Sequence, residues 1–373
     1  MGNYSNKENK YIGENKTEFI LTNNIIMDVL IFYNYEKKYE SISSKNYGSK
    51  EMKHNNYIFV VCGLIDGFIE IFNISNNKFK LIISFQAHRD IISKMVQLQK
   101  TGFLLTSSFD NSMKIFKLTN NCNKETLIYV IHLNPVYYKI NDIIEMSFNN
   151  NIIISVKNNI INFPLIKNKL SEEKYNLNDY NFSKYEHQYN YLNKLLEIDN
   201  YTLVALNEIK NKLLFFQLTY NKEVTDDISL IKIIEIKDNP RNYFFTRKIS
   251  IECLRPKYNC ILVSDNINII IIDIKYLEIV SIFKIKENYI SFIASYNQKN
   301  NRILIFDIKS ICKYKIIDEN KLFEIEKKEE KSVNIDYIVN LNEFEKIIYS
   351  SLNENKIIVF YKKILMEIDL NNL

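Results

Sequence analysis

The chain has 373 residues, 46% of them hydrophobic and 13% aromatic, enough to bury a sizeable core and too much for a disordered polymer. Charged residues make up 25% and nearly cancel to a net +5, with no long basic run, so no nucleic-acid partner is expected. Five cysteines without a CxxC pair argue against a disulfide framework or structural zinc, and no apolar run approaches the roughly 18 residues of a membrane span.

Residues 1–16, opening MGNYSNKENK, read as a polar N-terminal tail without an apolar signal core, so a cytoplasmic setting is expected, with the nucleus also open. Gly2 follows Met1, which raises N-myristoylation, but Asn6 stands where that signal wants Ser or Thr. No glycine occurs after Gly102 and tryptophan is absent, a bias that suits AT-rich coding. Left-handed turn positions downstream must therefore fall to Asn or Asp.

From residue 17 onward, short β-branched and aromatic runs recur between Asn-rich turns. They include TEFIL (17–21), YIFVVCG (57–63), FIEIFNI (68–74), KLIISF (80–85), GFLLTSS (102–108) and MKIFKL (113–118). NYLNKLLEI (190–198) is the best short helical candidate, and the Tyr-rich segment near 168–190 reads as an insertion. LLFFQL (213–218), CILVSD (260–265) and INIIIIDI (267–274) continue the strand series. EIEKKEEK (324–331) reads as a solvated turn with mixed charge. After KIIYSS (346–351) and KIIVFY (356–361), ILMEIDL (364–370) is expected as the last outer strand, with TEFIL pairing where first and last units meet.

The aromatic that closes a strand after a tight turn sets a period. Phe72 and Phe116 stand 44 residues apart, and comparable strand centres follow at Phe163, Phe216, Ile272, Tyr314 and Phe360. Such a unit matches four short strands plus loops. The expected fold is all-β: a single seven-bladed β-propeller over 17–373, with four-stranded antiparallel blades. A pair of β-sandwiches, linked by residues 170–191, is the alternative.

The stretch FQAHRDIISKMVQLQKTGFLLTSSFDNSMKIFKL (85–118) resembles a WD repeat. Ala87-His88 stands for the family's Gly-His, Phe109-Asp110-Asn111 for its tight turn, and Phe116-Lys117 for Trp-Asp. The resemblance implies a structural hydrogen-bond network through His88, Thr106 and Asp110, with Phe116 in place of the indole. Phe116 has no N–H, so that network is one bond short. CGLIDGFIEIF (62–72) keeps the turn residue Asp66 with Gly67 and Phe72, and SSLNENKIIVF (350–360) keeps Ser350 and Phe360. The resemblance further implies a non-catalytic scaffold for other proteins or peptides.

His88 has no nucleophile elbow or paired acid motif beside it, and no phosphate-cradling glycine loop occurs, so neither catalysis nor a cofactor is expected. No metal site is expected either, because no His/Cys/Asp/Glu cluster has ligand spacing. Arg89 and Asp90 adjoin His88 as candidate partner-binding residues. Arg241, Tyr243, Phe244, Arg247 and Lys248 interleave basic and aromatic side chains in DNPRNYFFTRKIS (238–250), the richest candidate surface. An alternative use of that loop is to bind acidic lipid or acidic peptide in a membrane-recruited protein.

Overall fold

In a computed structural model of the chain, the β-branched and aromatic runs form 29 strands and no helix among the described residues. Those residues are 18–35, 56–75, 78–99, 101–119, 121–132, 140–147, 151–156, 159–163, 175–176, 184–186, 192, 194–207, 212–221, 224–236, 250–253, 259–264, 268–284, 293–297, 302–306, 310–319, 322–332, 346–349, 356–361 and 364–369. The expected tail, 1–16, lies outside them.

β1 (Glu18–Leu21) precedes a first sheet of β2 (Ile26–Tyr35), β3 (Asn56–Leu64), β4 (Phe68–Ser75) and β5 (Lys78–Gln86). The second sheet holds β6 (Ile92–Gln97), β7 (Leu104–Ser108), β8 (Ser112–Leu118) and β9 (Glu125–His132). β10 (Ile140–Glu145), β11 (Ile152–Val156) and β12 (Asn159–Phe163) begin the third. The segment read as an insertion then supplies two short strands. β13 (Tyr175–Asn176) runs parallel to β9 at the edge of the second sheet, and β14 (Lys184–Glu186) pairs antiparallel with β12 as the third sheet's fourth strand. β15 (Lys194–Asp199), β16 (Thr202–Asn207), β17 (Lys212–Asn221) and β18 (Val224–Glu235) make the fourth sheet. β19 (Ser250–Cys253), β20 (Cys260–Ser264), β21 (Asn268–Asp273) and β22 (Glu278–Lys284) make the fifth. β23 (Ile293–Asn297), β24 (Arg302–Phe306), β25 (Ser310–Glu319) and β26 (Leu322–Ser332) make the sixth. β27 (Lys346–Tyr349), β28 (Lys356–Tyr361) and β29 (Ile364–Asp369) make the last, completed by β1.

Three expectations change here. ILMEIDL is the third strand of its sheet, because β1 takes the outer edge of β29 from Glu18↔Glu367 to Leu21↔Ile364. Residues 194–198 are strand, not helix. A bulge between Glu197 and Asp199 leaves Leu195 and Ile198 both buried three residues apart, which imitates helical spacing. The charged run at 324–331 is also strand, within the antiparallel pairing of β26 with β25 that runs from Ser310↔Ser332 to Glu319↔Leu322.

Consecutive sheets among the first five share cores, so neighbouring residues of one strand feed two different ones. Leu104 and Phe116 pack with Phe59, Val61 and Ile71 of the first sheet. Leu105, Met113 and Ile115 pack instead with Ile152, Ile154 and Ile161 of the third. Ile153 and Ile160 meet Leu203 and Phe216, while Val204 and Phe215 meet Ile261 and Ile272. Burial on both faces is why these strands read as unbroken apolar runs rather than alternating ones. In five sheets the third and fourth strands slip register at Ile71/Phe72, Ile115/Phe116, Phe215/Phe216, Ile271/Ile272 and Lys313/Tyr314. The second residue of each pair is one of the period-setting positions read from the sequence.

The first strands touch in chain order, β2 with β6, β6 with β10, then β15, β19, β23 and β27, and β27 touches β2. Each is an edge strand, and side chains from its neighbours cover that edge over the first four sheets. Asp28 Oδ2 accepts from Met95 N–H at 2.8 Å, and Asp142 Oδ2 from Leu195 N–H at 2.8 Å. Gln97 accepts from Tyr33 N–H at 2.9 Å and donates to the Tyr33 carbonyl at 2.6 Å. Glu145 accepts from Gln99 N–H, and both Glu197 oxygens accept from Ser147 N–H at 3.0 Å. Gln97, Glu145 and Glu197 each stand five residues beyond a fully buried Ile92, Ile140 or Leu192, so the device repeats with the sheets.

Candidate functional site

The β5–β6 loop carries Ala87, His88, Arg89 and Asp90, and it is held against the β3–β4 turn by one carbonyl. Gly67 O accepts from both Ala87 N–H and His88 N–H at 3.0 Å. Gly67 has φ +81°, and a Cβ there would run into the His88 carbonyl, so the close approach demands glycine. The β7–β8 turn opposite contains Asp110 and Asn111; Asn111 takes the left-handed φ 61° expected of asparagine, whereas Cys122 (φ 50°) and Leu277 (φ 52°) hold left-handed positions that were expected of Asn or Asp.

These two loops meet at His88, which is almost fully buried. Its Nδ1 lies 3.0 Å from Asp110 Oδ2 and 3.2 Å from Oδ1, and its Nε2 lies 2.8 Å from Thr106 Oγ1. Asp110 also accepts from Arg89 N–H at 3.0 Å, Ser112 N–H at 3.1 Å and Ser112 Oγ–H at 2.6 Å. An acceptor so fully supplied is ionised, so the imidazole proton belongs on Nδ1 and Nε2 accepts from the Thr106 hydroxyl. Lys114 Nζ donates to the Ala87 carbonyl at 2.6 Å, which ties the loop to β8. Beneath them Phe116 packs edge to face on Phe85, ring centroids 5.4 Å apart at 63°.

The electrostatics follow from this wiring. Burial pushes the His88 pKa down, more than the bonds to Asp110 raise it, and Lys114 lowers it further. Burial works to raise Asp110, but hydrogen bonds from His88, Ser112 and Arg89 N–H outweigh it and hold the carboxyl well below the usual range. Burial also lowers Lys114, partly offset by Asp110. Ser112 Oγ sits 3.2 Å from His88 Nδ1, yet both imidazole nitrogens are engaged and the hydroxyl is bonded to Asp110. The Thr106 hydroxyl that meets Nε2 is itself fully buried, and the cluster locks two loops and a strand together.

Asp66 does not join His88. It occupies the matching turn of the first sheet, where it accepts from Asn24 Nδ2 at 3.0 Å and Phe68 N–H at 3.3 Å. Beside it, Asn23 Nδ2 donates to Glu70, a buried carboxylate whose pKa burial raises while the Asn23 bonds pull it down. Asp66, Glu70 and Phe72 match Asp110, Lys114 and Phe116 in spacing, and Cys62 takes the place of Thr106. Burial, with Glu70 and Asp28 nearby, raises the Cys62 thiol well above its ordinary value, so it is unreactive. Sequence reasoning missed Asn23, Asn24, Glu70, Ser112 and Lys114. A usable signal existed, since Thr22–Asn24 precede Ile26 by the same interval as His88–Asp90 precede Ile92.

Arg89 and Asp90 stand exposed beside this bridge. The Asp90 carbonyl accepts from Ser108 Oγ–H at 2.9 Å and its carboxylate from Ile91 N–H at 2.7 Å, so the exposed pair is mounted on fixed backbone. Arg241, Tyr243, Phe244, Arg247 and Lys248 lie outside the described residues. Among the described residues no group of three His, Cys, Asp or Glu is arranged to hold a metal ion, and no helix is long and apolar enough to cross a membrane. The chain matches no family model and no curated protein.

Proposed function

We propose that the chain is a WD-repeat-type β-propeller of seven four-stranded blades spanning 17–373, and that it is a non-catalytic scaffold holding proteins or peptides on its loop faces. The observation that carries this reading is the sequence of first-strand contacts, each with the next and β27 with β2. Radial repetition of this kind leaves only short sheet edges. Pairing of β1 with β29 then joins the last blade to the start of the chain. The His88–Asp110–Thr106 bridge supports the WD assignment, since it uses the residue types that the resemblance implies. Loops anchored by buried bonds lose little entropy on binding, which suits a scaffold. The same reading sets the protein in the cytoplasm or nucleus, in keeping with Cys62, Cys122 and Cys260, buried thiols outside any disulfide.

Two measurements test it. Negative-stain class averages of the purified chain are expected to show a ring with sevenfold radial modulation; a different blade number or an open arc overturns the propeller. Quantitative affinity purification from native cells, with wild type against an Arg89→Glu/Asp90→Lys variant of equal melting temperature, addresses the scaffold. A near-stoichiometric protein partner, depleted with the variant, is the expected result, and its absence from both samples overturns the reading.

A further inference from the structure

We propose that the junction of the third and fourth sheets binds an ordered internal water through Asn141, Ser155 and Asn162. Asn141 Nδ2, Ser155 Oγ and Asn162 Oδ1 are shielded from solvent and have no hydrogen-bond partner among the described residues. Ser155 and Asn162 are almost wholly buried as residues, a state folded proteins avoid for polar groups left without a partner. The register gathers the three. On β11, Ile153 stands opposite Asn162 and Ser155 opposite Ile160. Ile153 and Ile160 pack with Leu203 and Phe216, so this face meets the fourth sheet. Ser155 and Asn162 are therefore diagonal neighbours, their Cβ atoms about 7 Å apart. One water bonding each oxygen at about 2.8 Å spans that gap. Asn141 is the bulged residue between Ile140 and Asp142, and Asp142 stands opposite Ser155. The second sheet shows where a side chain on this bulge reaches: Ser93, between Ile92 and Lys94, meets the Ser107 hydroxyl at 2.8 Å, and Ser107 stands opposite Lys94. There two hydroxyls satisfy each other; Asn141 and Ser155, in the same places, do not.

The site is particular to this junction. The residue before a period-setting position is buried and apolar at Ile71, Ile115, Phe215 and Ile271, whereas Asn162 stands before Phe163. The identity of the occupant comes from the donors and acceptors. Asn141 Nδ2 must donate, Asn162 Oδ1 must accept, and the Ser155 hydroxyl does either. The amide N–H opposes a cation and the amide carbonyl opposes an anion. Water accepts from the one and donates to the other, and three partners are its usual complement in a protein interior. Neighbouring charge favours neither ion, since Asp142 Oδ1 and Lys94 Nζ lie 3.9 Å apart and offset each other. Asn141 and Asp142 are partly exposed, which gives water a way in. The inference rests on one face of the third sheet and not on the ring or the scaffold reading.

Urea unfolding of the full chain tests it at pH 7. With water as the partner of Asn162, Asn162→Leu strands that water and the Ser155 hydroxyl, and the folding equilibrium is expected to fall about fivefold. Ser155→Ala/Asn162→Leu, which removes both oxygens together, is expected to recover most of that loss. Were Asn162 Oδ1 dry, Leu would relieve an uncompensated polar burial instead, so a raised midpoint for Asn162→Leu overturns the proposal, as does a double variant that falls further than the single. Crystals of wild type soaked in rubidium bromide supply the direct measurement. A compact solvent peak within bonding distance of Ser155 Oγ and Asn162 Oδ1, without anomalous signal, is the expected result. An empty site, an anomalous rubidium or bromide peak, or a direct bond among the three side chains overturns it.

Discussion

Protonation of His88 would place a second positive charge beside Lys114 in a buried site and abolish the acceptor that Thr106 uses. Because its folded pKa lies below the ordinary histidine value of about 6.5, the unfolded chain binds the proton first, and stability must fall as pH drops below that value. Asp110, also lowered, adds to the loss under more acidic conditions, once pH falls through the unfolded carboxylate range near about 4. Glu70 and Glu197, raised by burial, act in the opposite sense, so the informative quantity is a difference between variants. Urea unfolding at pH 7 and pH 5 is expected to show a smaller acid loss for His88→Gln than for wild type. At pH 7 that variant should be less stable by about 2 kcal/mol, because Asp110 and Thr106 lose a shared partner. Gly67→Ala combines a left-handed backbone with a clash on the His88 carbonyl. A loss of more than about 2 kcal/mol is expected in the same assay.

The first strands solve an edge problem with side chains rather than with another strand. Truncating Gln97 or Glu197 to Ala removes the side-chain acceptor of the Tyr33 or Ser147 N–H, and each should cost about 1 kcal/mol in chemical denaturation. A Gln97→Ala/Glu197→Ala double variant should be additive, since the two act at separate junctions. At this scale most of the fold was legible in the sequence. Double-sided burial requires runs such as INIIIIDI, and the register slip falls at Phe72 and Phe116, which set the period, and at Phe216, a strand centre placed from it. What failed has a common physical form. A bulge made residues 195–198 imitate a helix, and backbone pairing carried EIEKKEEK into a strand that its charges disguise. The first-sheet bridge was missed because its donors are Asn23 and Asn24, and asparagine is also this chain's ordinary turn residue, so nothing marks the two that matter. His88 stood out because Ala87-His88 lies where the repeat that residues 85–118 resemble carries Gly-His.

The core between the fourth and fifth sheets belongs to those two, so damage there should stay local. Phe215→Ala, between the fourth and fifth sheets, is expected to cost about 3–5 kcal/mol. Hydrogen exchange should show faster opening first in β16, β17, β20 and β21, with the first two sheets following later. The pairing of β1 with β29 also has a consequence in time. During synthesis β1 is made before the other described strands and β29, its described partner, after them, so this sheet must wait for the intervening chain. Waiting costs little in equilibrium terms, since each doubling of a closing loop adds about 0.6 kcal/mol. It costs a great deal in speed, because contacts this distant in sequence form late. Until then β1 holds a backbone edge that any other strand could take, which leaves the nascent chain open to mispairing while the intervening strands are made.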